Sequence, residues 1–324
     1  MNRRDNLVAL LVLGTAPLTS FAQPAATPRR IGWLTPTSLE QDKSIIDAFR
    51  AKLKELGRIE GRDYEIAIRE YGGRPDRLPA LVQEILSLRP AVIVTAGSAP
   101  IAAFQKATRS IPIVFGTAAD VVEQGFVASL AHPGGNITGV SVPTDVGYKV
   151  IELLHELNPS LSRIVVFVRN TYPTARRLTT KAAVLARFRI ILDHVDVSEP
   201  ADLPRAFAAA RALHAGAMIV GPDALFLREG DRVIEFANSA RLPSVYFYPE
   251  MVEAGGLMCY SIGRAEVWRT AARYVDQIAK GTKAADLPVQ QPSKLELVIN
   301  MKTARSIGVT LPASLLLRAD KVIQ

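Results

Sequence analysis

From residue 30 onward the chain alternates short runs of apolar, largely β-branched residues with segments whose apolar positions recur every three or four residues. The runs at 30–35, 64–71, 91–96, 111–116, 137–142, 163–169, 190–197, 217–221, 243–248 and 256–262 are near-continuous, Ala91-Val92-Ile93-Val94 being typical. Strands of that kind are covered on both faces, as in parallel sheets. Between the first two runs, Ile45, Phe49, Leu53 and Leu56 recur at helical spacing against Lys43, Arg50, Lys52 and Lys54, and Gly57 stands where a helix C-cap belongs. Leu78, Leu81, Val82, Ile85 and Leu88 form a second stripe, which Pro90 ends. A strand every ~25 residues is the rhythm of βα units joined by short loops. Ten strands are many for one open sheet, so the pattern predicts an α/β protein with two sheets.

Length and composition fit that picture. At 324 residues, 48% hydrophobic and 22% charged, the chain is long enough for two packed domains. Its lone cysteine, Cys259, excludes a disulfide framework and a clustered-thiolate metal site. That cysteine sits in the apolar run Gly256-Leu257-Met258-Cys259-Tyr260, where a buried strand thiol is expected rather than a reactive one. His132, His155, His194 and His214 are scattered, so no local histidine metal motif exists; His155, on a helix beside Glu156, reads as a solvated or capping residue. Thirty-nine Lys and Arg against 31 Asp and Glu give a net charge of +8, but the cations are dispersed along wet helix faces rather than gathered in a stripe. Nucleic acid is therefore not an expected partner.

Residues 1–22 have the form of a signal peptide: Arg3 and Arg4, an apolar stretch from Leu7 to Leu18, and the small-x-small site Ser20-Phe21-Ala22. Either a general or a twin-arginine leader fits. The stretch is short for a membrane span and no later one is longer without charge, so a soluble periplasmic protein, without stable membrane insertion or lipid anchor, is expected.

The chain contains no G-x-G-x-x-G after a strand, no G-x-x-x-x-G-K, no G-x-S-x-G and no H-E-x-x-H. No catalytic residue, metal site or cofactor is assigned. Open parallel sheets bind ligands at the carboxyl ends of their strands, and there the sequence is rich in small and hydroxyl residues. Thr35 and Thr37 follow the first run, Gly97, Ser98 and Ala99 the third, Thr117 and Ala118 the fourth. Ser98 would open a helix whose free amides and positive dipole end could hold a carboxylate; as an alternative it is only an N-cap. In the second half Asn170 and Tyr172, Asp223 and Tyr248 occupy equivalent ends. Asp223 could pair with an amino group while aromatic rings cover an apolar solute. Successive residues in Tyr246-Phe247-Tyr248 point opposite ways in a strand, so only part of that set is expected to face a cleft.

Four ordered segments carry a family likeness: Val127 to Ser141 (VASLAHPGGNITGVS), Glu253 to Met258 (EAGGLM), Leu287 to Pro292 (LPVQQP), and Glu296 to Ala304 (ELVINMKTA) with Leu315 to Asp320 (LLLRAD). Together they resemble the ABC transporter substrate-binding family that includes tryptophan-binding proteins. The resemblance implies a periplasmic binding protein type I fold, two doubly wound parallel-sheet lobes with a hinge. The implied lobes are 23–142 with 263–290, and 143–262 with 291–324. It also implies a monomer that closes on a small-molecule solute, amino-acid-like or aromatic/carboxylate, and delivers it to an ABC permease and its ATPase. A ligand sensor feeding a chemoreceptor or sensor kinase would use the same architecture. Asp120-Val121-Val122 and Cys259-Tyr260-Ser261 depart from the usual Asp-Pro-Val and Ser-Tyr-Gly, so the likeness carries no ligand identity.

Overall fold

The computed structural model describes residues 27–143, 146–169, 182–292 and 294–324. The signal peptide expected over 1–22 lies outside them. The strands β1 (Arg29–Thr35), β2 (Tyr64–Glu70), β3 (Val92–Thr95), β4 (Ile113–Ala119) and β5 (Ile137–Val142) form a five-stranded parallel sheet ordered β2-β1-β3-β4-β5. The strands β6 (Arg163–Val168), β7 (Ile191–Asp196), β8 (Ala217–Val220), β9 (Ser244–Tyr246), β10 (Met258–Ile262), β11 (Leu295–Asn300) and β12 (Lys321–Ile323) form a seven-stranded sheet. Its first five strands repeat the same winding, in the order β7-β6-β8-β9-β10. Each sheet anchors one lobe. The second is not wholly parallel, because β11 runs antiparallel to β10 and carries β12 beside it.

Burial on both faces explains why these strands read as continuous apolar runs. In the first sheet Ile31, Trp33, Val92 and Val94 point to one face, where they meet Ile45, Phe49 and Leu53 of α1 (Lys43–Glu55). Leu34, Ile93, Ile113 and Phe115 point to the other, against Val82 and Ile85 of α2 (Leu78–Ser87) and Ile101 and Phe104 of α3 (Ser98–Ala107). Fully burying a side chain such as Phe49 contributes about 1.5–3 kcal/mol.

In the second sheet Ile164 and Val166 face α4 (Val146–Leu157), while Val165 and Phe167 face the opposite layer. On the α4 side lies α5 (Ala182–Phe188); the opposite layer holds α6 (Leu203–Ala212), α7 (Ala224–Arg228), α8 (Gly230–Ser239) and α9 (Pro249–Glu253). His155 is not a solvated cap. Its ring lies 4.4 Å from that of Phe188, and its Nδ1 is buried.

The chain then turns back. The helix α10 (Arg264–Ala279), which follows the second sheet's β10, packs on α1 and on β4 and β5 of the first. Gln290 extends that return by accepting from Ser141 N at 2.8 Å and donating to Gly139 O at 3.0 Å. Past it, β11 re-enters the second sheet, and α11 (Met301–Ile307) and α12 (Ala313–Arg318) complete its α4-side core through Ala304, Ile307 and Leu315.

Candidate functional site

A cavity of about 230 Å³ lies between the carboxyl edges of the two sheets. In each sheet the winding reverses between the first strand and its third-strand neighbour, β1 and β3 in one, β6 and β8 in the other. Such switch points leave a crevice beyond the strand ends. Here two crevices face each other.

The first lobe contributes Thr37, Gly97, Ser98, Ala99, Thr117 and Ala118 to the wall, and the second Asp223 and Tyr248. Asn170 and Tyr172 lie outside the described residues. Thr35 does not reach the cavity: it is 1% exposed, and its hydroxyl donates to Asp42 Oδ2 beneath the wall. The end of β1 therefore presents Thr37, whose hydroxyl lies 3.4 Å from that of Thr35, and Thr35 stands behind it on Asp42.

Of the two readings of Ser98, the helix-capping one does not hold. Gly97, at φ +86°, is the N-cap of α3, and no side chain caps that helix. The first intrahelical bond is Ile101 N to Gly97 O at 3.4 Å, so the amides of Ser98 and Ala99 precede it, and Pro100 has none to offer. Gly97 itself is tied to β4 through Thr117 O at 2.7 Å. Two amides, a hydroxyl and the positive end of a ten-residue helix converge on the cavity; an anion there gains about 0.3–1 kcal/mol from the dipole, and up to ~2 in a partly buried setting.

Asp223 is more committed than the sequence implied. Its Oδ1 accepts from Leu225 N at 2.8 Å, capping α7, and from Arg169 Nη1 at 3.3 Å. Only the second oxygen is left to face a solute amine. Tyr248 lines the cavity because β9 ends at Tyr246: Pro249 starts α9, so Phe247 and Tyr248 leave the ladder and both border the cavity, while Tyr246 stays in the core. Burial, and then the charge of Asp223, push the Tyr248 phenol above its ordinary pKa, so it is a neutral hydroxyl that can donate or accept.

Arg264, Asp42, Arg169 and Trp268 also border the cavity, and sequence reasoning missed them. Arg264 opens α10 at the crossover, with Nη2 2.9 Å from Asp42 Oδ1 in the first lobe and Nη1 bonded to Glu250 of α9 in the second. Its guanidinium carbon lies 5.7 Å from the centre of the Tyr248 ring. Burial opposes its charge, but Glu250 and Asp42 outweigh that and hold its pKa above the ordinary arginine value. The same strand-end rule, applied to the ends of β6 and β10, would have found Arg169 and Arg264. Trp268 forms the floor, and Gly116 makes room for it: a Cβ there would stand 2.6 Å from the indole. Cys259, by contrast, is fully buried in β10, and burial pushes its thiol up to about 12.

The family profile described as ABC transporter substrate binding protein matches residues 35–323, nearly the whole chain. The chain belongs to that family. Among its relatives, a protein named tyrosine-binding protein from Clostridioides difficile (strain R20291) is 22% identical over 265 residues, 81% of this chain and 75% of the relative. Solved structures share the two-lobed fold. An ABC domain from Streptococcus pneumonia in complex with L-Trp superposes with TM-score 0.82 at 23% identity, covering 90% of this chain and 100% of the other. A conserved domain protein from Vibrio cholerae gives TM-score 0.85 at 24% identity, over 91% and 100%.

Proposed function

We propose that this protein is the periplasmic solute-binding component of an ABC importer, which closes its two lobes on one small solute and hands it to a membrane permease driven by a separate ATPase. The observation that carries this reading is the cavity built half from each sheet at facing switch points, so that a solute touching both walls favours the closed state. No helix among the described residues is long and apolar enough to cross a membrane.

The solute class follows from which wall groups are still uncommitted. Asp42 and Arg264 pair with each other, and Arg169 is spent on Asp223 and backbone carbonyls. What remains is the α3 end with Ser98 for a carboxylate, one oxygen of Asp223 and the Tyr248 hydroxyl for an amine, and Trp268, Phe247 and the Tyr248 ring for an apolar side chain. That set suits an aromatic or large apolar amino acid, or a related carboxylate. The relatives named for tyrosine and crystallised with L-Trp support the same class.

A thermal-shift screen of L-amino acids and aromatic carboxylates tests the proposal. A solute at 100 times its Kd stabilises by about 2.7 kcal/mol, a shift of several degrees. Silence across the panel from well-folded protein would overturn it.

A further inference from the structure

At the rim of the cavity, which Gly73 and Arg169 both border, the two lobes are joined directly by a turn of the first lobe and two arginines of the second. Gly72 and Gly73, between β2 and α2, both have positive φ, +59° and +64°. This turn is fixed to the first lobe's cleft rim, because Tyr71 N donates to Thr35 O at 3.1 Å and Gly73 N to Pro36 O at 2.8 Å. Its carbonyls point across the cleft. Gly73 O accepts from Arg169 Nη1 at 2.8 Å, and Gly72 O accepts from Arg228 Nη1. The approach is close: a Cβ on Gly73 would stand 3.3 Å from Leu225 N and 3.4 Å from Ala224.

The arginines belong to one rigid corner. Arg169 follows the last residue of β6, and its other bonds reach Ser198 O at 2.9 Å and Asp223 Oδ1 at 3.3 Å. Asp223 caps α7, and α7 ends in Arg228, held from behind by Glu229 at 3.3 Å. The Nη1 amino group of Arg169, with its two hydrogens, thus donates both to a first-lobe carbonyl and to the carboxylate that faces the cavity.

We propose that the Gly72-Gly73 turn, Arg169 and Arg228 form a closure latch. The latch contributes protein-to-protein bonds to the closed state, so the ligand-free protein holds a closed population. Arg169 acts as a positioning residue, orienting Asp223 as the lobes meet. A hydrogen bond from a charged donor shifts a two-state equilibrium by roughly tenfold or more, and ordering the chains offsets part of that, so two such bonds are enough to shift a two-state hinge measurably. The proposal rests on the lobes moving relative to each other and not on the identity of the solute.

The test needs no solute. Cysteines introduced at the exposed positions Asp76 in the first lobe and Ala201 in the second can be spin-labelled selectively, because Cys259 is buried. Distances between the labels are then measured by pulsed electron resonance on the ligand-free full-length mature protein. The expected result is a short-distance component in the otherwise wild-type protein that is lost in Arg228→Ala, a residue that does not border the cavity. Gly73→Val attacks the latch from the opposite lobe and should lose the same component, so either variant suffices if the other folds poorly. A wild-type distribution with only long distances, or an unchanged distribution in a folded variant, would overturn the latch. Both results are independent of the thermal-shift screen, which judges the solute-binding role.

Discussion

The indole of Trp268 stacks on that of Trp33, ring centres 4.5 Å apart and planes 20° from parallel, and only Trp268 borders the cavity. These are the chain's only two tryptophans. Trp33 is fully buried behind its partner, edge-on to Phe49 at 4.9 Å. The protein's entire indole emission therefore originates at the floor of the site.

Solute binding should change that emission. A non-fluorescent solute found by the thermal screen is expected to shift tryptophan intensity or wavelength in a titration. Trp268→Phe should abolish most of the response and Trp33→Phe should retain it. An equal response from both variants would place the solute elsewhere.

Ser98→Ala should weaken binding about 2- to 10-fold by calorimetry, the value of one hydrogen bond, with little change in unfolding temperature because Ser98 caps nothing. Asp223→Ala should weaken it further and cost about 1 kcal/mol of stability through the lost α7 cap. Unchanged affinity in both variants would discard the assignment of these residues to the site.

Arg264→Met leaves Asp42, 1% exposed, without its cation. Breaking a buried pair in this way costs about 3–5 kcal/mol, to be read from denaturant unfolding. Glu250→Gln should cost less, because Arg264 keeps Asp42. If Arg264→Met is as stable as the wild type, the bridge is not structural.

Acid stability should depend on Asp276. Burial opposes its charge, yet Lys280 and Arg58, at 2.7 and 2.6 Å, outweigh that and hold its carboxyl below the ordinary 3.8. A depressed carboxyl stabilises the fold above its unfolded pKa, and the contribution is lost as pH falls through the folded value. Asp276→Asn should thus be less stable than wild type at neutral pH, and the gap should close below about pH 4. A constant gap across that range would show that the ion pairs contribute nothing.

The strands were legible because two-sided burial leaves a one-dimensional trace: Ile164 to Val168 are all fully buried and all apolar. Where burial is one-sided or brief the trace fades. Lys321-Val322-Ile323 forms an exposed edge, and no apolar run announces β12. β11 was visible only through family likeness, and its antiparallel direction had no signal at all. In the site, small residues at strand ends could be read because chain direction alone places them. Asp42 and Arg264 could not, being 222 positions apart and brought together by the return of α10 onto α1.

That return also governs how the protein must be made. The first sheet's core holds Trp268, Ala271, Ala272 and Val275, which follow the greater part of the second sheet in the chain. A nascent or truncated polypeptide ending before residue 263 would leave Trp33 and the inner stripe of α1 uncovered. The first lobe therefore cannot complete its core until the chain has passed through the greater part of the second.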